Sequence, residues 1–318
     1  VSLFDLPLLP LYLEFPLDFL TLVVAAELIV KSAESLSSRL GKGFTGGIVV
    51  GFMTAFPETL FVIIAMIAAK YDVAVGSALG GNIILFTFGI GMVGILTILK
   101  WKKPGVLSGD YKIEERYLLI SNLALILLLI YGKLDIISGI LIFLIYFIYV
   151  WERYKAYKEF VASHEVKKIN LVKYISYLII GSLIMVIFGH RFVFAIEELS
   201  FSIGIPAVII SLIISPIAAE FIEKLSSFRM VLRSYDNFTM ALLSFIGSKI
   251  ENMTILIGVI GILANKAIMI GDYLIEFLAT IGVTFLALYV LIDRKLRLIE
   301  GLTLTVGYFA IIYLLLLL

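Results

Sequence analysis

Residues Val49–Lys70 read "VVGFMTAFPETLFVIIAMIAAK", an apolar run long enough for a membrane span that nevertheless carries Pro57 and Glu58 side by side. A carboxylate at the centre of a bilayer costs roughly 2.5–3.5 kcal/mol on insertion scales. Such a residue persists where something offsets the cost, so the stretch points to a membrane protein with a polar function at depth. The rest of the chain agrees. Of its 318 residues 62% are hydrophobic and 15% charged, with mean hydropathy +1.12, whereas soluble domains sit near 45–50% apolar and about 25% charged. The net charge of +1 gives no basic surface for nucleic acid, and the absence of cysteine excludes disulfides, thiolate metal sites and a cysteine nucleophile. The opening "VSLFDLPLLPLYLEF" has no charged region leading to a small-residue cleavage site, so no removable signal peptide is expected.

A span needs about 20 mostly apolar residues. Apolar runs and their charged or Gly/Pro breaks give ten expected spans, at about 10–33, 43–69, 73–99, 116–132, 134–151, 173–195, 204–224, 237–264, 267–290 and 298–317. With that division Lys and Arg gather in the joins that follow odd-numbered spans, and the opposite side holds only Lys70, Lys133 and Lys266. The positive-inside rule then places those basic loops in the cytoplasm and both termini outside. The abundance of Ile, Leu, Lys and Tyr suggests a prokaryotic plasma membrane.

The longest basic loop, "WERYKAYKEFVASHEVKKIN" (151–170), divides the spans five and five. "LSSRLG" (Leu36–Gly41) recurs as "LSFSIG" (Leu199–Gly204), with Glu58 and Glu220 at nearly the same distance beyond. "LGGNIIL" (Leu79–Leu85) faces "IGSKIEN" (Ile246–Asn252). Five spans per unit force the second unit to enter from the opposite side, which is the inverted-repeat plan of secondary transporters, with the site at the repeat interface near the midplane. The expected fold is thus an all-α polytopic membrane protein built as two inverted five-helix repeats, residues 1–151 and 173–318, joined by a cytoplasmic linker at 152–172.

Each half places a proline, a glutamate and small residues in an apolar helix: "TAFPE" (54–58) and "SPIAAE" (215–220). Pro57 and Pro216 are expected to break their helices, since proline removes an amide donor and clashes with the carbonyl four residues back. Freed carbonyls are tolerated in lipid where they line a cavity or meet an ion. Two carboxylates cancel a divalent cation, and carbonyls, hydroxyls and waters complete the 6–8 oxygens that calcium takes. Glu58 and Glu220 are the expected calcium ligands, joined by Thr54, Asn82, Ser248 and Asn252, with Ser77, Ser215, Lys249 and Glu251 as further polar lining. Glu223, one turn from Glu220, reads as solvated or paired where "FIEKLSSFR" exits into water. Lys249 has two readings: a salt bridge to Glu220 or Glu223, or a tethered ammonium standing in for one transported cation.

These paired stretches resemble the alpha repeats of the cation/Ca2+ exchanger superfamily, here at about 41–99 and 204–264. Its members carry a "G-[TN]-[SA]-x-x-E" core in the second and seventh spans, and "G-S-N-I" or similar in the third and eighth. "TAFPETL" is similar to the first core, "SPIAAEF" more loosely to the "N-A-A-E" form of the proton-coupled branch, and "GGNI" and "GSKI" to the second pair. The resemblance implies alternating-access antiport of Ca2+ against H+ or Na+. Two departures bear on the coupling ion. Leu85 stands where many members have Asn, and Asn252 where sodium/calcium exchangers have Asp. With two carboxylates expected and fewer oxygens, protons are favoured over sodium, because burial and a second carboxylate both raise a carboxyl pKa until a cation arrives. The expected partners are the lipid bilayer and inorganic cations, with no nucleic acid and no obligate protein partner.

An enzyme is the rival class. An intramembrane aspartyl protease needs two aspartates at depth, yet every aspartate falls towards a span end or in a loop. A zinc hydrolase needs paired histidines, and His164 and His190 lie apart. A calcium channel is the other rival, but channels build selectivity from symmetric rings.

Overall fold

The computed structural model describes residues 10–40, 56–108, 111–158 and 170–317. The described residues are helical apart from turns and short connecting strands. In order come α1 (Leu11–Leu40), α2 (Phe56–Ile67), α3 (Tyr71–Trp101), α4 (Lys112–Tyr131), α5 (Ile136–Lys158) and α6 (Leu171–Ile203). They are followed by α7 (Ala207–Arg233), α8 (Tyr235–Leu263), α9 (Ile270–Val290) and α10 (Leu298–Leu317). Among the described residues six helices are long and apolar enough to cross a membrane: α3, α5, α6, α8, α9 and α10. The outward faces are apolar too, with Leu20, Ile130, Val172, Tyr289 and Ile299 more than half exposed. Large exposed apolar side chains in this number mark a surface that meets hydrocarbon.

Several helices outrun their expected ends. α1 continues to Leu40, α6 to Ile203 and α7 to Arg233. The added residues are rich in Ser, Leu, Glu and Arg, which helices accept in water as readily as apolar ones, so hydropathy ends before the helix does. Of the expected span 43–69 only Phe56–Ile67 is described. The linker core at 159–169 also lies outside the described residues.

The tight join at "YGKLD" has a local cause. Gly132 takes φ +81° and closes α4. Asp135 and Ser138 then cap α5 reciprocally: the Ser138 amide donates to Asp135 Oδ1 at 3.0 Å, and the Asp135 amide donates to Ser138 Oγ at 2.9 Å. The Ser138 amide, with Tyr131 and Lys133, holds the Asp135 carboxyl well below the usual carboxylate range.

Elements recur in the same order in the two halves. α3 carries a π-helical bulge at Leu85–Gly89 and α8 one at Asn252–Leu256, each three residues after the aligned Asn82 and Lys249. β1 (Gly105–Val106) pairs antiparallel with β4 (Lys295–Leu296), and β2 (Lys133–Leu134) with β3 (Ile268–Met269). Exchanging the halves turns one strand pair into the other. The sequence carries a sharper trace of the same duplication than the polar cores do: "GDYKIE" (109–114) recurs as "GDYLIE" (271–276), and "KLDIISG" (133–139) as "KLRLIEG" (295–301). Tyr111 and Tyr273, from the first pair, take almost identical backbone angles at the starts of their helices, φ −128°, ψ 25° and φ −127°, ψ 23°. Glu114 and Glu276 are both buried there.

α3 sits at the centre and packs along α7 without intervening side chains. A methyl built on Gly80 would overlap the Leu212 carbonyl, and one on Gly76 the Val208 carbonyl. Small residues let membrane helices meet backbone to backbone in this way. α10 closes on α3 through Gly301 and Gly91, and α5 on α8 through Gly139 and Gly258.

α1 and α6 pack as a pair that encloses its own charge cluster. Arg191 of α6 donates to Glu14 at 2.7 Å and to Asp18 at 3.2 Å, and all three side chains are buried. Asp18, expected towards a span end, is thus buried inside the protein with this cluster. Lys70, at the α2–α3 turn, pairs with Glu197 and lies over the Phe194 ring, fastening α6 to the rest.

Overpacking of a close crossing costs about 1–3 kcal/mol. Gly80→Ala is therefore expected to lower the thermal unfolding midpoint in detergent measurably. Gly247→Ala, on α8 with nothing within 4 Å of the added methyl, should leave the midpoint unchanged.

Candidate functional site

Glu58 lies in the first turn of α2 and is fully buried. Pro57 stands beside it, and the helix break expected there falls, with Thr54, on residues 41–55, which lie outside the described residues. α2 packs against α3, α6, α7 and α8, which puts Glu58 on a helix surrounded by protein.

Glu220 belongs to α7, and its side chain and that of Glu223 lie outside what is described. Pro216 does not break α7, which runs unbroken from Ala207 to Arg233. The physical reason lies four residues back. Proline denies a donor to the Leu212 carbonyl, and that carbonyl is the one against the bare Gly80 backbone of α3. Close helix packing supports the backbone where unwinding was expected, and Cα–H···O contacts of this type recur at helix–helix interfaces. Further along, Lys224 is buried and its ammonium reaches back to the Pro216 carbonyl at 3.4 Å. The segment expected to exit into water there stays helical, with Lys224 and Ser227 buried and Arg229 exposed.

Ser215 joins the α3–α7 seam. Ser211 Oγ donates to the Val73 carbonyl of α3 at 2.7 Å, and Ser215 Oγ lies 2.8 Å from Ser211 Oγ. The Ser211 proton is already committed, so Ser215 is the donor between them.

The two bulged helices, α3 and α8, cross at their bulges. The segment Tyr71–Ile84 packs on the α8 bulge, and Phe238–Glu251 on the α3 bulge. π-bulges widen a helix by one residue and occur often at functional sites. Around this crossing Ser77, Asn82, Ser248, Lys249, Glu251 and Asn252 are all buried, at 2% exposure or less. Asn82 Nδ2 donates to the Ala78 carbonyl of its own helix at 2.8 Å. That bond leaves Oδ1, like Ser77 Oγ, a buried oxygen that no donor among the described residues reaches. Leaving such a group unmet costs about 1–3 kcal/mol, and a cation is a partner that recovers it. Lys249 extends from α8 to α3, where its ammonium donates to the Asn82 main-chain carbonyl at 3.0 Å and lies 4.7 Å over the Phe86 ring. Glu251 turns towards α5, and its Oε2 accepts from Tyr146 at 3.2 Å.

The structure thus brings Ser77, Asn82, Ser248, Lys249, Glu251 and Asn252 to one crossing and assigns Ser215 to a seam. Among the described residues no three His, Cys, Asp or Glu side chains gather into a metal-binding group, so carbonyl, hydroxyl and amide oxygens make up most of what is described there. Tyr146, Phe86 and Ser211 escaped the sequence reading. Nothing local distinguishes Tyr146 in "IYFIYVWERY" from an aromatic at the membrane interface; only its partner on α8 does.

Removing the Tyr146 hydroxyl takes a donor from a buried carboxylate, and hydrogen bonds to charged groups are worth about 1.5–3 kcal/mol. Tyr146→Phe should lower the unfolding midpoint in detergent, whereas Tyr289→Phe, 73% exposed, should not.

The sequence matches the family described as sodium/calcium exchanger protein over residues 13–155 and 173–317. No curated protein matches the chain. Among solved structures the fold is similar to that of the H+/Ca2+ exchanger CAX, with TM-score 0.81 at 18% identity, covering 97% of this chain and 86% of that one. It is also similar to YfkE, with TM-score 0.77 at 17% identity, covering 97% and 93%. A third likeness is to the sodium–calcium exchanger NCX_Mj soaked with Na+ and Sr2+, with TM-score 0.63 at 17% identity, covering 95% and 97%. The family match spans nearly the whole length in two blocks separated by the basic linker: the chain belongs to the sodium/calcium exchanger family of membrane transporters, within the cation/Ca2+ exchanger superfamily.

Proposed function

We propose that the chain is a secondary active antiporter that exports Ca2+ in exchange for H+, by alternating access around Glu58 and Glu220 near the middle of the bilayer. The observation that carries this reading is Glu58: a carboxylate with no exposure, on a helix packed against both bulged helices and the helix of Glu220. A carboxylate kept at that depth suits a site for cations, and the buried oxygens of Ser77, Asn82, Ser248 and Asn252 stand at the adjoining crossing. Thr54 completes the ligand set in this reading. The architecture is two inverted five-helix repeats of ten spans, with both termini outside and the basic joins in the cytoplasm of a prokaryotic cell. Recurring bulges, exchanged strand pairs and the "GDYKIE"/"GDYLIE" duplication support the repeat. So does the contact of Lys249 with Asn82, since residues at equivalent positions meet only near a twofold axis.

An antiporter must keep its empty, doubly charged site from crossing. The cost of carrying two charged carboxylates across supplies that barrier, and Ca2+ or two coupling ions remove it. Protons are favoured because Leu85 supplies no oxygen and Asn252 no carboxylate charge where the resemblance has Asn and Asp for sodium to use; both residues are fully buried. Sodium coupling is the second reading, favoured by the family to which the sequence matches.

The test is Ca2+ flux in proteoliposomes under an imposed pH gradient and then an imposed sodium gradient. A flux driven by a pH gradient alone is expected. A flux driven only by sodium would transfer the assignment to the second reading, and a Ca2+ leak indifferent to both gradients would indicate a channel. Glu58→Gln and Glu220→Gln should each abolish exchange while the protein still elutes as a folded species; strong exchange by either would refute the assignment.

A further inference from the structure

The ends of α3 and α7 are tied together by two bonds to the main chain. The Trp101 indole N–H donates to the Val231 carbonyl at 2.8 Å, and the Tyr235 hydroxyl donates to the Pro104 carbonyl at 2.7 Å. α3 stops there because Lys102 takes a left-handed conformation, φ +57°, and Pro104 follows without an amide donor. The chain around this tie is basic on both sides. α3 ends in Lys100, Lys102 and Lys103, and α7 in Arg229 and Arg233, one turn apart. All of these are exposed. Lys103 lies 3.6 Å over the Tyr235 ring, so the side chain that joins the two ends also fixes an ammonium at the join.

Elsewhere on the basic face the cations are taken. Arg116 pairs with Glu152 and Arg153 with Glu114, while Arg297 holds both Asp293 and Glu300. Lys155 rests over the Trp151 ring. At the α3–α7 rim, among the described residues, no carboxylate pairs with Lys100, Lys102, Arg229 or Arg233. Asp236, exposed on the same rim, pairs with none of them, and Asp110 lies outside the described residues. Cations gathered in this way repel one another and favour a ligand that brings negative charge.

The same helix ends define the rest of that ligand. Leu99, beside Lys100, is 58% exposed, and Leu232, beside Arg233, is 41% exposed. Trp101 stands half-buried where α3 ends, the place of an aromatic at a membrane boundary. Cations at headgroup level with bare leucines next to them suit an amphiphile with an anionic head, and basic seats at the ends of membrane helices take such heads. A free phosphate would gain nothing from the leucines. We infer that the α3–α7 rim is a binding site for an acidic phospholipid, its head drawn to the lysines and arginines and its chains to Leu99 and Leu232. The inference rests neither on the coupling ion nor on antiport. A lipid bound there would bridge the ends of the two helices that meet backbone to backbone at Gly80 and Leu212.

The chain has two tryptophans, and they report on two different basic joins. Trp151→Phe leaves Trp101 at the rim. Trp101→Phe leaves Trp151, 57% exposed, among cations already engaged. Quenching by brominated phosphatidylglycerol and by brominated phosphatidylcholine, in bilayers that mix the two headgroups, gives the relative affinity of each lipid at each tryptophan. Trp101 should favour the acidic lipid about tenfold, the effect of one or two cations at a membrane surface, and Trp151 should show little preference. The triple variant Lys100→Ser, Lys102→Ser, Arg233→Ser should lose the preference at Trp101. Lys155→Ser, Lys158→Ser, Lys173→Ser removes the same charge from the join of α5 and α6 and should keep it. Equal preference at both tryptophans, or equal loss in both triple variants, reduces the effect to general attraction between a basic face and an anionic membrane and overturns the inference. Loss of the preference on adding inorganic phosphate at constant ionic strength overturns it in favour of a free-phosphate site. Should the rim variant fail to fold, the comparison of the two tryptophans decides. The readout is binding alone, so a failure of ion exchange would strike the proposed function and leave this result standing.

Discussion

A bundle wrapped in hydrocarbon has to settle every buried charge from within. The effective penalty for an ion taken out of water is several kcal/mol even after relaxation, and this chain keeps Asp18, Glu58, Lys249 and Glu251 at zero exposure. Among the described residues two such settlements stand apart. α1 and α6 close Glu14, Asp18 and Arg191 into one cluster. α3 and α8 carry charges to the crossing of two bulged helices, where Lys249 and Glu251 reach out to α3 and α5. A shift of the α1–α6 pair as a body would keep its own cluster intact and would have to break the Lys70–Glu197 pair that fastens α6 to the rest. In the proposed cycle that division separates a carrier of the site from a part that slides past it.

The backbone shows the same economy. Three irregularities interrupt the central helices, and each is held by a neighbour. Pro216 leaves the Leu212 carbonyl without its amide, and the Gly80 backbone lies directly against it. The bulges of α3 and α8 each lie against the first half of the other helix. Irregular backbone at membrane depth is tolerated only where protein or a polar cavity covers it, so the close glycine seams and the irregularities depend on one another. A side chain at Gly80 would push α7 away from the carbonyl that the seam covers.

Much of this was legible in the sequence because hydrocarbon imposes a simple code. Helices had to appear wherever apolar runs did, and a glutamate next to a proline in such a run had to be a site or an error. The ends of α1, α6 and α7 were not legible, since hydropathy reports the lipid boundary and not where hydrogen bonding stops. The bulges were hidden because "LFTFG" and "NMTIL" differ in no local propensity from ordinary helix. Pro216 misled for the opposite reason: its local rule is strong, and only the facing Gly80 of another helix overrides it. Asp18 was placed at a span end by counting, while its burial depends on Arg191, far away in sequence. The duplication was plainer in "GDYKIE" and "GDYLIE" than in the polar cores. Those motifs open helices at the ends of spans, away from the glutamates on which a functional reading concentrates.

The two halves share a scaffold but not a charge pattern. Bulges and strand pairs recur position for position, yet Asn82 answers to Lys249, Ile84 to Glu251 and Leu85 to Asn252. A rocking device needs its two halves to be mechanically alike, so that inward- and outward-facing forms have similar energies. An ion site has no such need, because a single cation on the axis is held by whatever oxygens and charges surround it. Duplication therefore constrains the backbone twice and the polar core only in sum. In the proposed inverted repeat, Lys249 donating to the carbonyl of its own counterpart marks where that constraint would relax: near the axis, one residue of a pair can carry the charge while the other supplies the oxygen that holds it.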